Sequence, residues 1–173
     1  TIENGKIKAV GQSTPPAGGK VIDAKGKHVY PGLILSVSQL GLVEVNSVRA
    51  TVDHTELGLY NPNIRSIVAY NSDSKVIGTL RSNGVLFANV VPQGATISGS
   101  STVVQLDAWN WEDATYKADG QIHMNMPSLL PRPSRFAAFL GQAESRSTAD
   151  QVKEALGRVE EIKQFFQQAK AYH

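Results

Sequence analysis

The stretch VIDAKGKHVYPGLILSVSQ, residues 21–39, marks a change in the kind of secondary structure that the sequence predicts. Before Pro31-Gly32, short apolar segments alternate with glycine-containing turns, which is typical of a small antiparallel β unit. After Pro31-Gly32, Leu33-Ile34-Leu35 is a continuous apolar run. Such a run suits a strand that is buried on both faces, as in a parallel sheet. We therefore expect the chain to leave a β unit here and to enter an α/β architecture.

The residues before this boundary predict hairpins. Asn4-Gly5 lies between Thr1-Ile2 and the apolar segment Ile7–Val10. Asparagine and glycine both tolerate a positive φ, so this pair favours a two-residue turn. Lys20–Asp23 is a second candidate strand. Strands this short do not stand alone, so we expect them to belong to a larger β assembly.

After the boundary, one α-then-β step is legible. Ser72 or Asp73 can cap a helix that Asn83-Gly84 then ends. The apolar run Val85–Val91 predicts a buried strand directly after that helix. A helix followed by a buried strand is half of a repeating βα architecture.

The remaining elements are predicted less regularly. Ile97–Leu106 is rich in β-branched residues, Trp111–Ala118 favours a helix, and Gln121–Met126 favours a strand. Leu130–Pro133 is a rigid connector. Thr148–Gln151 fits a capping box at the start of a C-terminal helix. The predicted apolar face of that helix consists of Val152, Leu156, Val159, Ile162, Phe166 and Ala169.

Composition excludes several classes of function. The chain has no cysteine, which excludes a disulfide framework, a zinc–thiolate site and a thiol nucleophile. A net charge of +2 without a basic run gives no indication of a nucleic-acid or membrane-surface partner. No segment approaches the roughly 18 apolar residues of a membrane span. No signal peptide is visible, and the start at Thr1 suggests a truncated or processed end, so the compartment stays open.

Two segments carry a resemblance to a known family. Asn4–Gly11 (NGKIKAVG) and Val21–Ile34 resemble the N-terminal signature of the amidohydrolase superfamily, and parts of Arg81–Ala114 resemble a subgroup related to imidazolonepropionase. The resemblance covers most of the chain up to about Met126. It implies part of a small β-sandwich over residues 1–32 and the first part of a (β/α)8 barrel of the TIM type over residues 33–173. That barrel would be incomplete, because the fold typically needs about 250 residues.

The chain departs from the family at the metal site. The resemblance implies an aspartate and then a His-x-His pair at the end of the first barrel strand, where residues i and i+2 face one metal ion. Leu35, Val37 and Gln39 occupy those positions here. Valine cannot ligate a metal and glutamine is a poor ligand, so we expect no metal ligand in this chain. A divalent metal of the zinc type would then belong to the complete protein.

Two functions follow from the resemblance. The first is hydrolysis of non-peptide carbon–nitrogen bonds in a small-molecule substrate, for which the family uses a metal-activated water. This segment alone is expected to be inactive. The second is a non-catalytic amidohydrolase-type protein that binds a ligand or a partner. In either case a companion segment or a second copy is expected, because Leu33–Leu35 and Val85–Val91 are too apolar for open sheet edges.

Four residues are candidates for substrate binding, and none is assigned a catalytic role. Gln39 is chosen from its aligned position, and His54 because it stands next to Asp53 in a segment that is mostly loop. His54 is either a displaced metal ligand or a general base, or it belongs to a solvated loop. His123 lies in a strand-like segment and is either at a barrel mouth or structural. Trp109, in the cluster of residues 107–113, either stacks on a ring or is buried against a helix start capped by Asn110.

Overall fold

The computed structural model describes residues 1–11, 17–129 and 147–172. The chain divides into two compact units, Thr1–Pro31 and Gly32–His173. The sequence placed a boundary at residue 32. The assignment of the first unit to a β-sandwich stays a prediction.

The first unit contains the expected hairpin. Strands β1 (Ile2–Glu3) and β2 (Lys6–Ile7) pair antiparallel. Asn4 has a φ of 51° and Gly5 a φ of 72°, as a tight turn of this kind requires. The prediction for Asn4-Gly5 is therefore confirmed.

The second predicted strand of this unit is absent. Val21–Asp23 has no regular secondary structure, and the side chains of Val21 and Ile22 are 71% and 78% exposed. A short apolar segment forms a strand only where a neighbouring strand satisfies its backbone, and none of the described residues does so here.

The second unit is built on a four-stranded mixed sheet. Its strands are β3 (Leu33–Ser38), β4 (Val85–Val90), β5 (Ile97–Gln105) and β6 (Thr115–Met124), in that spatial order. β3 and β4 are parallel, whereas β4–β5 and β5–β6 are antiparallel. The parallel pairing of β3 with β4, joined through a helix, agrees with the α/β pattern predicted from the sequence. The other pairs of described strands are antiparallel, so the sheet is not parallel throughout.

The connection between β3 and β4 carries the helix α1 (Lys75–Ser82). It begins after Ser74 and not after Ser72 or Asp73, and the Ser74 hydroxyl donates to Glu44 at 2.9 Å instead of capping the helix. The predicted stop is confirmed, since Asn83 ends the helix and Gly84 has a φ of 84°. Two short 3-10 turns, Arg49–Thr51 and Ser66–Ala69, interrupt the preceding loop.

The hydrophobic core joins the sheet to the β3–β4 connection. β4 contributes Ala88 and Val90, β5 contributes Val104, and the connection contributes Ile67 and Ile77. The full buried cluster is Leu40, Leu42, Ile67, Tyr70, Ile77, Val85, Ala88, Val90, Val104, Leu106 and Ala114.

The burial expected for β3 is wrong. Leu33, Ile34 and Val37 are 61%, 65% and 65% exposed, and only Leu35 packs against the core. β3 pairs with β4 alone among the described strands. Because no second described strand lies beside it, most side chains of β3 stay in solvent.

The helix expected over Trp111–Ala118 is shorter than predicted. The helix α2 (Trp111–Ala114) has a single turn, and Thr115 already pairs with Val104 of β5. Pairing with a distant strand overrides the local helical preference here. The predicted strand Gln121–Met126 is the second half of β6, which ends at Met124.

The C-terminal helix α3 (Thr148–Tyr172) is confirmed. Ser147, not Thr148, supplies the cap: its Oγ accepts from the Ala149 amide at 3.1 Å. Ala155 and Ile162 are buried, but Phe166 is 52% exposed and the neighbouring Phe165 stacks on Tyr60. The connector Leu130–Pro133 lies outside the described residues. None of the described helices is long and apolar enough to cross a membrane.

Candidate functional site

A cleft of about 320 Å³ opens where the parallel strands β3 and β4 end. Leu42 follows β3 and Pro92 follows β4, and both line the cleft. Ligands of α/β sheets commonly bind at the carboxyl ends of parallel strands, where the connecting segments diverge. The lining consists of Leu42, Asp53, His54, Thr55, Glu56, Asn63, Ile64, Arg65, Ser66, Val68, Ala69, Pro92 and Ser98.

Backbone hydrogen bonds hold the His54 segment between the two strand extensions. The Asp53 amide donates to the Leu42 carbonyl at 2.8 Å, and the Gln93 amide donates to the His54 carbonyl at 2.7 Å. Gly94, with a φ of 99°, allows the close approach, because a Cβ there would lie 2.7 Å from Cγ2 of Thr55. His54 is therefore fixed by both strands and is not part of a free loop.

Two buried polar atoms of the cleft residues lack a partner among the described residues. His54 Nδ1 and Ser66 Oγ are shielded from solvent and make no hydrogen bond with any part of the chain that the structure describes. Ser66 as a whole is 3% exposed. An unsatisfied buried polar group costs about 1–3 kcal/mol, so such groups call for an explanation. Because Ser66 Oγ has no partner, it does not bond to His54, and the two residues do not form a nucleophile–base pair.

The charged groups of the cleft differ in whether they form an ion pair. Asp53 and Glu56 are exposed and form no ion pair with another described residue. Arg65 is held by Asp119 through two contacts, Nε–Oδ1 at 2.9 Å and Nη2–Oδ2 at 2.8 Å. The hydrogen bond with Asp119 raises the pKa of Arg65, and the bonds from Arg65 and Ser100 lower the pKa of Asp119. The unpaired charge at the cleft is therefore negative.

Gln39 does not line this cleft. It lies at the end of β3 beside a separate shallow depression that also includes Leu35, Ser38 and Glu44. Its backbone carbonyl accepts from the amides of Leu42 and Val43, at 2.9 and 3.2 Å. The structure therefore places Gln39 in a turn that leads toward the cleft.

His123 also lies elsewhere. It stands on β6 opposite Gly99, and its buried Nε2 has no hydrogen-bond partner within residues 1–11, 17–129 and 147–172. Burial lowers the pKa of His123, so the neutral imidazole is favoured. His54 and His123 are not brought together in one lining.

Trp109 is exposed outside the cleft. Its side chain is 88% exposed, and Trp111 is 50% exposed, so the alternative of a buried tryptophan is wrong. The cap itself is present: Asn110 Oδ1 accepts from the Asp113 amide at 2.7 Å. Residues 110–113 thus form a capped turn that presents Trp109 to solvent.

Ser66 and Arg65 are the residues that sequence reasoning missed. No motif marks them, because their position depends on how the β3–β4 connection folds back on β5. The serines Ser98 and Ser100 lie in β5. Ser98 Oγ donates to the Ala95 carbonyl at 3.2 Å, and Ser100 Oγ to Asp119 at 2.9 Å, so both hydroxyls are already used.

The described residues contain no group of three His, Cys, Asp or Glu side chains placed to hold a metal ion. No protein-family model matches this chain, and no curated protein matches it. A crystal structure of an amidohydrolase from Thermotoga maritima MSB8 is similar in fold, with a TM-score of 0.67 and 20% sequence identity. The similarity covers 99% of this chain and 45% of that chain. The chain thus shares its fold with a little under half of that amidohydrolase.

Proposed function

We propose that the chain is the N-terminal part of an amidohydrolase-type hydrolase that acts on non-peptide carbon–nitrogen bonds in a small molecule. The observation that carries this proposal is the similarity in fold to an amidohydrolase over 99% of the chain. The segments NGKIKAVG and Val21–Ile34, which resemble the family's N-terminal signature, support it independently. In this proposal the second unit is the first part of a (β/α)8 barrel, and β3 is its first strand.

The metal that the family implies does not fit the residues present at the end of β3. Val37 offers only an aliphatic side chain, and Gln39 offers a neutral amide. A tetrahedral metal centre needs imidazole, thiolate or carboxylate ligands. We therefore derive no chemical step through a metal at this position, and any metal of the complete protein would depend on other residues.

A second function, ligand binding without hydrolysis, is favoured by the same two residues. Val37 and Gln39 remove the ligand pair, whereas the cleft at His54 and Ser66 retains buried polar atoms without partners. A protein that has lost its metal ligands but kept a polar cleft can still bind a small molecule.

The two functions are separated by an assay on the complete protein. It is incubated with a panel of cyclic amides and cyclic ureas, with and without added Zn²⁺, and ring opening is followed by mass spectrometry. Ring opening of any panel member supports the hydrolase. Saturable binding without ring opening, with and without Zn²⁺, contradicts it and supports the binding protein.

A matched variant reports on the metal site. Val37→His in β3 combined with Gln39→His directly after it introduces the family's ligand pair at exposed or half-exposed positions. We expect this double variant to bind more Zn²⁺ than the unmodified protein, as measured by metal analysis after dialysis. Equal metal content in both would contradict the alignment of Val37 and Gln39 with the histidine pair.

A further inference from the structure

We propose that the cleft at the carboxyl ends of β3 and β4 binds a small, flat cation with several N–H donors, of the amidine or guanidine class. This inference concerns binding alone and does not depend on hydrolysis.

The polar atoms of the cleft residues suit a ligand that donates hydrogen bonds. With its other ring nitrogen protonated, His54 Nδ1 is an acceptor, and a serine hydroxyl such as Ser66 Oγ has two acceptor lone pairs. Both atoms are buried and have no hydrogen-bond partner in the described part of the chain. Ser66 is 97% buried, given its 3% exposure, so bulk water does not form a hydrogen bond with its hydroxyl. A ligand N–H group that reaches either atom would supply its missing partner.

The charges select a cation. Asp53 and Glu56 line the cleft as exposed carboxylates without an ion pair among the described residues. The cation that also lines it, Arg65, is bound on two of its nitrogens by Asp119. A guanidinium occupied by one carboxylate in this way has less to offer a second anion. A cationic ligand therefore gains attraction that a neutral one lacks, and an anion is repelled.

The remaining walls suit a flat apolar body. Leu42 is 2% exposed and Pro92 is buried, and Ile64, Val68 and Ala69 complete the apolar lining. A volume of about 320 Å³ lies at the lower end of the range for ligand cavities, about 300–1,000 Å³. The site thus fits one ring with a short polar group.

Benzamidine is the probe, because it joins one ring to a planar cation with four N–H donors. Benzamide keeps the ring and the planar polar group but has no charge, and benzoate reverses the charge. Binding of each to the full chain is measured by isothermal titration calorimetry at neutral pH. We expect benzamidine to bind about tenfold or more tightly than benzamide, and benzoate not to bind. Equal binding of benzamidine and benzamide, binding of benzoate, or no binding of benzamidine overturns the proposal.

Two serine variants localise the binding. Ser66→Ala removes the cleft hydroxyl, and we expect it to weaken the binding of benzamidine about fivefold to tenfold. Ser101→Ala is the matched control, because Ser101 is 1% exposed, has an equally unpartnered Oγ, and lies in β5 outside the cleft lining. We expect this control to leave the affinity unchanged. Equal effects of the two variants would show that the probe does not bind at Ser66.

Discussion

At the residue scale, the backbone conformation and the packing at position 99 admit glycine alone. It lies within β5 with a φ of 120°, and a Cβ there would lie 2.6 Å from the carbonyl oxygen of Ile64. The Ser100 amide donates to that same carbonyl at 2.7 Å. The close approach therefore joins β5 to the segment that carries Arg65 and Ser66.

We expect Gly99→Ala to lower the free energy of unfolding by about 2–4 kcal/mol, because it adds both backbone strain and a clash with backbone atoms. Gly78→Ala is the control: it lies inside α1 with no atom within 4 Å of the added Cβ, and should raise stability by about 0.5–1 kcal/mol. Urea unfolding of the two variants measures this. A Gly99→Ala protein as stable as the unmodified one would contradict the close packing.

Tyr70 gives the chain a component of alkaline sensitivity. Burial raises its pKa from 10.0 to about 12. Since the folded value exceeds the unfolded one, the stabilisation by the neutral phenol is fully present below pH 10 and is lost as pH rises toward 12. We expect the Tyr70→Phe protein to be less sensitive to alkali. Between pH 8 and pH 11 it should lose about 1 kcal/mol less of its free energy of unfolding than the unmodified protein. Identical losses in urea unfolding would contradict a buried phenol.

The candidate site was only partly predictable from its residues. His54 stood out because a histidine beside Asp53 is chemically recognisable in any sequence. Ser66 did not stand out, because a serine is marked only by what surrounds it, and its burial depends on the fold of the connection. Gln39 was chosen by alignment and lies near the site in sequence, but outside its lining.

At the element scale, Phe165 attaches α3 to the β3–β4 connection. Its ring stacks on Tyr60 with centroids 5.2 Å apart. The sequence pattern had placed Phe166 on the apolar face instead, although Phe166 is 52% exposed. The two adjacent phenylalanines therefore form a natural comparison.

We expect Phe165→Ala to lower the free energy of unfolding by about 1–3 kcal/mol and to speed hydrogen exchange in α3, since it removes aromatic packing. Phe166→Ala is the matched control and should cost less than about 1 kcal/mol. Hydrogen exchange with mass spectrometry follows α3 separately from the sheet. If Phe166→Ala destabilised α3 more than Phe165→Ala, the observed packing of the helix would be wrong.

Elements set by local signals were predicted, and elements set by distant partners were not. The Asn4-Gly5 turn and the Asn83-Gly84 stop depend on the φ that those residues tolerate, so the sequence shows them directly. The extension of β6 back to Thr115 depends on pairing with β5, and Val21–Asp23 lacks such a partner. Pairing of strands is not encoded in either segment alone.

At the scale of the whole molecule, the two edges of the sheet differ in chemistry. The outer edge of β6 carries Lys117 and Asp119, and charged residues on an edge oppose further pairing. β3, with the sequence LILSVS, has no charge and exposes Leu33, Ile34 and Val37. The similar amidohydrolase is more than twice as long as the matched region, since 45% of it is covered. We propose that a companion segment or a second copy covers β3.

This proposal predicts that the 173-residue chain, prepared alone, associates through β3. Sedimentation velocity over a range of concentrations should show species larger than the 18.6 kDa monomer. Val37→Lys places a charge on the edge, where Val37 is 65% exposed, and should shift the chain toward monomer. Leu57→Lys is the control: Leu57 is 89% exposed but lies in the connecting loop, so the same charge there should leave association unchanged. An unmodified chain that stays monomeric at every concentration, or two variants that act alike, would show that the apolar edge of β3 is stable in water without a partner.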